Sequence, residues 1–365
     1  MKIGDRHYRT IWLNPDGWSV DVIDQTELPH ALAIRNLRDT EAVADAITTM
    51  VVRGAPLIGA AAAYGMALAM HADPGDAALA HAAKRLVATR PTAVNLAASV
   101  ARLQSALVPV APALRRDLAY RLAAALCDED VAESAALGKV GGALIAELWK
   151  ARDRTGPMRI LTHCNAGWLA SVDWGSALAP VYAAHDNGIP VHVWVDETRP
   201  RNQGASLTAF ELKAHGVPHT LIADNAGGHL MQRGEVDMCI VGADRVCADG
   251  AVCNKIGTYL KALCAMDNRV PFYVAFPRAT VDWNLASGEQ VPIEERSARE
   301  VTHITGLAAG GERVEVALAP PQTLARNPAF DVTPARLVTG YITPGGVAPA
   351  SPAGLRAVLR EKGQS

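Results

Sequence analysis

The chain has 365 residues, 50% of them hydrophobic and 20% charged, with a formal net charge of −2. That length exceeds one small core and fits two domains, or one large domain with an added layer, in an ordinary globular protein. The near-neutral balance and the lack of Lys/Arg runs exclude a nucleic-acid surface and leave small anions, which need only two or three local cations.

The N-terminus, MKIGDRHYRT, carries neither an apolar signal core nor a transit-like start. Residues 8–22 are rich in β-branched and aromatic types around Asn14-Pro15-Asp16-Gly17 and predict a hairpin. Thr40 is expected to cap a helix to about Val52, and Pro56 to open a second through Met70. Residues 55–70 are the most apolar stretch, yet short and Ala-rich for a membrane span, so no membrane association and a cytoplasmic location are expected. Arg90-Pro91-Thr92 interrupts the next helical stretch, with Thr92 as cap of a helix over 93–107. Leu114, Leu118, Leu122 and Leu126 mark a third helical block over 112–149, with a break expected near Asp128 or Gly138.

From Met158 the pattern becomes strands alternating with helices, the strands over 158–163, 191–195, 219–222, 238–241, 272–276 and 337–342. This predicts an α/β protein: a hairpin-bearing, mainly helical domain over 1–154 and a doubly wound, Rossmann-like parallel sheet over 155–365. The loops after the strands read THCNAG, DETRPRNQG, ADNAGG, GADR and FPRATVD, so polar and Gly-rich residues converge at one sheet edge. Ligands of open parallel sheets sit in the crevice outside the carboxyl ends of the strands.

The stretch VDMCIVGADRVCADGAVCNKIGTYLKAL, residues 236–263, organises the rest. A short buried strand ends at Gly242, Asp244 follows, and Asn254-Lys255 precede a helix expected to bury Leu260, Leu263 and Cys264 on one face. Asp244 either caps a turn or stands where chemistry occurs. Arg53-Gly54-Ala55, just before a helix start, either form a surface turn or hold a phosphate on the positive dipole end. Cys164 lies past the first strand on the same rim as Asp244, and a thiol and a carboxyl there can serve as acid and base across a small substrate. His163 is the alternative partner of Cys164, although neighbours on an extended strand point to opposite faces.

The six cysteines lack C-x-x-C spacing, which predicts free thiols rather than zinc or disulfides. Ala60-Ala61 replace the Lys and hydroxyl of a nucleotide-phosphate loop, and no G-x-G-x-x-G follows the first sheet strand. Asp196-Glu197 and Glu294-Glu295, with His303 or His229, offer metal donors, but no spacing demands a metal.

Seven ordered motifs, RGAPLIGAAAAYG, RPTAVNL, THCNAG, VWVDETRPRNQGASLTAFEL, VGADR, NKIGTYLKAL and NPAFDVTP, span about 53–343 and together resemble the methylthioribose-1-phosphate isomerase family. That family is related to regulatory subunits of a eukaryotic initiation factor's exchange complex. The resemblance implies conversion of 5-methylthioribose 1-phosphate to the ribulose 1-phosphate in methionine salvage, by a homodimer, with no cofactor and no metal. It puts Cys164 and Asp244 on the catalytic positions, and Arg53, Gly54, Ala55, Arg90, Gln203, Asn254 and Lys255 on the substrate-binding ones. Ser206, where the commoner pattern has a basic residue, and Pro344, where it has an acidic one, depart from the family wording and bear on the preference at the 5-position.

The substrate is a phosphorylated hemiacetal whose ring cannot open spontaneously. Asp244 can protonate the ring oxygen only if burial keeps it protonated. A 5-deoxyribose 1-phosphate side activity is expected, because an apolar pocket separates a methylthio group from hydrogen by a modest factor. Ribose 1,5-bisphosphate isomerisation, a non-catalytic sugar-phosphate-binding regulatory subunit and a cysteine hydrolase are the alternatives. The hydrolase would need a histidine orienting the thiol.

Overall fold

The computed structural model describes residues 1–359. A short antiparallel pair, β1 (Lys2–Ile3) and β2 (Arg6–His7), precedes a three-stranded antiparallel meander of β3 (Ile11–Leu13), β4 (Val20–Ile23) and β5 (Ile34–Leu37). The expected hairpin is therefore extended by a third strand. Its turn is held by Asp16, whose carboxylate accepts from the Trp18 and Ser19 amides, with Gly17 at φ 82°.

Five helices follow: α1 (Thr40–Thr48), α2 (Ala55–Ala72), α3 (Asp76–Val87), α4 (Val94–Leu107) and α5 (Pro112–Ala151). Asp39, not Thr40, caps α1, accepting from the Ala42 amide at 2.7 Å, because the Thr40 hydroxyl is drawn to the Gly65 carbonyl on α2. Thr92 does not cap α4, which begins after Ala93 without a side-chain cap; the Thr92 carbonyl instead accepts from Arg245. Among the described residues, α2 is the one helix long and apolar enough to cross a membrane, and 72% of it is buried as the central helix of the N-terminal core.

The 40-residue α5 runs unbroken through Asp128 and Gly138. Gly138 and Gly141 weaken a helix intrinsically, but here they admit α6 (Leu178–Asp186): a Cβ on Gly141 would lie 2.4 Å from Pro180. Packing against a second helix outweighs the local propensity.

The main sheet has seven strands. In chain order they are β6 (Met158–Thr162), β7 (Val191–Asp196), β8 (His219–Ile222), β9 (Met238–Val241), β12 (Phe272–Ala275), β17 (Gly340–Thr343) and β18 (Gly346–Pro349). Their spatial order is β18-β17-β12-β9-β6-β7-β8, parallel except for the β18 edge. Strand alternation sends Ile160 into the core shared with α6 and α7 (Ala209–His215). It sends Leu161 into the core shared with α8 (Ala226–Gln232) and α9 (Thr258–Asp267). The sheet is thus covered on both faces. The last expected strand starts later than predicted, at Gly340, because a 3-10 turn occupies Ala335–Leu337.

A second sheet, absent from the sequence reading, has the order β13-β10-β11-β16, made of β13 (Val281–Asp282), β10 (Arg245–Cys247), β11 (Val252–Lys255) and β16 (Phe330–Thr333). Asn254 and Lys255 therefore lie on a strand, not at a helix start; α9 begins at Thr258 after Gly257 at φ 102°. Its buried side is Thr258, Lys261, Ala262 and Ala265, whereas Leu260 is 61% exposed. A hairpin of β14 (His303–Leu307) and β15 (Arg313–Ala317) follows the short α10 (Arg299–Thr302), and α11 (Pro352–Leu359) closes the described chain.

Candidate functional site

The chain order reverses between β6 and β9: β7 and β8 continue to one side of β6, and β9, β12 and β17 to the other. Loops leaving neighbouring strands at such a switch point diverge and open a crevice. Cys164 leaves β6 and Asp244 leaves β9, so both groups enter the crevice from adjacent strands.

Cys164 sits in a left-handed backbone conformation, φ 66°, unusual for a side chain of its size. Two threonines hold it there: its amide donates to Thr198 Oγ1 at 2.8 Å, and its carbonyl accepts from Thr208 Oγ1 at 2.7 Å. The Sγ atom lies 3.5 Å from Gln203 Oε1. Burial pushes the thiol pKa up, and the positive charges of Arg53 and Lys255 pull it back in part. Asp244 is partly open to the cleft, and its amide donates to the Cys253 carbonyl at 3.0 Å. Desolvation raises its carboxyl pKa above the ordinary value, against the pull of Lys255, Arg53 and Arg90. The Lys255 ammonium, 4.7 Å from the Phe330 ring centroid, is shifted down by burial despite the nearby Cys164 and Asp244.

The cations arrive from the other side. Arg53 is buried and donates to the Asn165 side chain at 2.5 Å and to its carbonyl at 2.8 Å. Gly54, at φ 95°, caps α2 with no side chain, and a Cβ there would lie 2.4 Å from the Ala170 carbonyl oxygen. The first turn of α2 thus presents the amides of Ala55 and Leu57 with no acceptor in the helix. Arg90 donates to Glu294 at 2.9 Å, while its buried Nε has no partner among the described residues.

Three hollows join around these groups. The central one, about 40 Å³, is lined by Arg53, Gly54, Ala55, Cys164, Asp244 and Asn254. Through Gly54, Ala55 and Asp244 it meets a second of about 60 Å³ bearing Arg90 and Phe330. Past Arg53 it adjoins a chamber of about 500 Å³ that Gln203 also lines. Eight of the nine residues singled out in the sequence line this cleft, and Lys255 stands beside it, close enough to shift both Cys164 and Asp244.

His163 does not partner Cys164. Its Nδ1 lies 2.9 Å from Asp196 Oδ2 and its Nε2 2.8 Å from the Ile256 carbonyl. Lys261 Nζ sits 2.9 Å from the same Asp196 oxygen, so an ammonium fills the charge-balancing place in the group formed by His163, Asp196 and Asp224. Glu294 engages Arg90 and Arg296, and Glu295 engages Arg326. The Glu294-Glu295 pair is thus engaged by guanidinium groups.

The sequence reading missed the supports beneath the site. Asn165 relays from Arg53 to Glu211, whose buried carboxyl accepts from Asn165, Tyr182 and the Trp168 and Leu169 amides. Asn165 stood within THCNAG and could have been marked; a buried glutamate in a helix leaves no local signal. Arg245 ties the Thr92 carbonyl to the strand after Asp244.

The sequence profile of the initiation factor 2 subunit family matches residues 51–350. Proteins named methylthioribose-1-phosphate isomerase are 59% identical in Methylorubrum extorquens, over 99% of both chains. In Paramagnetospirillum magneticum one is 60% identical, over 99% of this chain and 100% of that one. Among solved structures, the 5-methylthioribose 1-phosphate isomerase of Pyrococcus horikoshii has 38% identity and a TM-score of 0.81 over 97% of this chain and 96% of that one. A protein described as translation initiation factor eIF-2B, subunit delta, from A. fulgidus has 40% identity and a TM-score of 0.79 over 97% and 99%. The chain belongs to the initiation factor 2 subunit family and, within it, to the methylthioribose-1-phosphate isomerases.

Proposed function

We propose that the chain isomerises 5-methylthioribose 1-phosphate to 5-methylthioribulose 1-phosphate without a cofactor, with Cys164 and Asp244 as the reacting pair. The observation that carries this reading is the meeting of a burial-raised carboxyl and a thiol at one switch point, in adjoining hollows that bear Arg53, Arg90 and the open amides of α2. The phosphate is held by Arg53, Arg90, Lys255 and the Gly54-Ala55 amides, with Gln203 and Asn254 binding the sugar. The small central hollow suits only the reacting carbons, so the rest of the substrate extends into the adjoining hollows.

Protonated Asp244 gives its proton to the ring oxygen as the C1–O4 bond breaks. The C2 hydrogen then moves to C1, C2 becomes a carbonyl, and the proton leaving O2 restores the acid. A phosphate seated on Arg53 and Lys255 neutralises the charges that lower both pKa values, so binding keeps Asp244 protonated and Cys164 a thiol. A neutral thiol is a poor base, which favours migration of the hydrogen as hydride, with the Cys164 thiol relaying the proton from O2 back to Asp244. The chain acts as a homodimer, and 5-deoxyribose 1-phosphate is a second, slower substrate.

The test is turnover on 5-methylthioribose 1-phosphate in deuterated water. Ketose product without deuterium at C1 supports the hydride route; deuterium at C1 assigns Cys164 as a base. The likeness to the A. fulgidus protein favours one second reading, a regulatory subunit. Sugar phosphate that binds and is never converted would establish that reading instead.

A further inference from the structure

We infer that Ser134 reads the 3-hydroxyl of the sugar, an inference that rests on the isomerase reading above. Ser134 lies on α5, is 2% exposed and lines the central hollow together with Cys164 and Asp244. Among the described residues its hydroxyl makes no hydrogen bond, and it is not among the polar atoms sealed off without a partner. A serine inside a helix ordinarily bonds back to the carbonyl four residues earlier, so an unengaged hydroxyl facing a cavity is a group kept for a ligand.

Its surroundings hold it in place. One turn earlier Asp130 accepts from the Val172 amide, at 2.8 Å, in the loop that brings Ser171, Gly175 and Ser176 to the hollow. The adjacent Glu133 accepts from the Arg278 amide and side chain, next to Pro277, which also lines the hollow. One turn later Gly138 packs on Ala179 of α6, where a Cβ would approach the carbonyl oxygen to 3.2 Å. Ala166, Gly167 and Ala170 near it offer no side-chain polar atom. In the reaction proposed above, the phosphate goes to the cations, the ring oxygen to Asp244, and O2 becomes the carbonyl oxygen. With Gln203 and Asn254 on the 2-oxygen, the 3-hydroxyl is the remaining polar group close to the reacting carbons; of the two unbonded hydroxyls that line the hollow, Ser134 and Ser176, Ser134 is the buried one.

A site built to bond a substrate hydroxyl discriminates strongly against the analogue lacking it, because its own polar group is left unpaired. The experiment compares kcat/KM for 5-methylthioribose 1-phosphate and its 3-deoxy analogue in the wild type and in Ser134→Ala. The wild type is expected to prefer the parent by about 10-fold or more, and Ser134→Ala to lose about 10-fold on the parent while treating the two substrates alike. A merely structural role would slow both substrates equally and keep their ratio. An unchanged ratio, or a wild type indifferent to the 3-hydroxyl, overturns the inference; the second measurement needs no variant to fold. Absence of any wild-type turnover on the parent would overturn the isomerase reading itself, and this inference with it.

Discussion

The helical region before residue 152 and the sheet region after residue 157 reach the same cleft with different chemistry. The helical side brings Arg53, Gly54, Ala55 and Arg90, all on loops or at helix starts, where unpaired amides and guanidinium groups suit a phosphate. The sheet side brings Cys164 and Asp244 from adjacent parallel strand ends, where burial raises both pKa values. Neither side suffices. Burial raises the acid, and Lys255 on the sheet side together with Arg53 and Arg90 on the helical side limits how far, so binding and chemistry are coupled through the field across the crevice.

The largest test of this division is Cys164→Ser beside Asp244→Asn. Each is expected to lower kcat by about 10²–10⁴-fold with KM changed only a few-fold, in steady-state assays of ketose formation. Arg90→Ala should act the other way, raising KM by about 10–100-fold through lost charge-assisted bonds while kcat changes much less. A kcat loss in Arg90→Ala as deep as in Asp244→Asn would break the comparison. Arg53→Ala is expected to affect both constants, because the same guanidinium also holds Asn165 in the Cys164 loop.

The pH profile sharpens the coupling. Asp244 works as an acid, so kcat/KM should be high below its raised pKa and fall as pH rises through it. Arg90 lowers that pKa, so Arg90→Ala should move the falling limb to higher pH. A limb that moves to lower pH would refute the field argument.

The smallest effect concerns stability. A carboxyl whose folded pKa lies above its ordinary value of 3.8 contributes most stability below that value and loses it as pH rises through the folded pKa. At neutral pH the wild type therefore bears a destabilising acid, and Asp244→Asn should melt about 2–4 °C higher there, with the gain shrinking toward pH 4. Thermal unfolding monitored by circular dichroism at the two pH values checks the sign.

Much of the sheet region was legible because its signals are local. Short apolar runs of strand length, separated by helical spacing, predict a covered parallel sheet, and a polar residue just past such a run must lie at the carboxyl edge. That logic put Cys164 and Asp244 on one rim. Pro56 and the glycine before it marked the start of α2 for an equally local reason, the fixed φ of proline and the freedom of glycine to adopt φ 95°.

What only the tertiary structure decided involves partners distant in sequence. Asn254 and Lys255 are strand residues because β11 pairs with β16, where Lys255 meets Phe330, and no local periodicity near 254 announces a partner so far along the chain. Lys261 of α9 is buried and Leu260 exposed because Asp196, at the end of β7, supplies the counter-charge. The unbroken course of α5 and the capping of α1 by Asp39 were settled by contacts with α6 and α2. The sequence alone determined which residues could do chemistry and at which edge, since backbone geometry and strand period are properties of neighbours. The partners, charges and burial that set how those residues behave came from distant segments, whose energies exist only once the chain has folded.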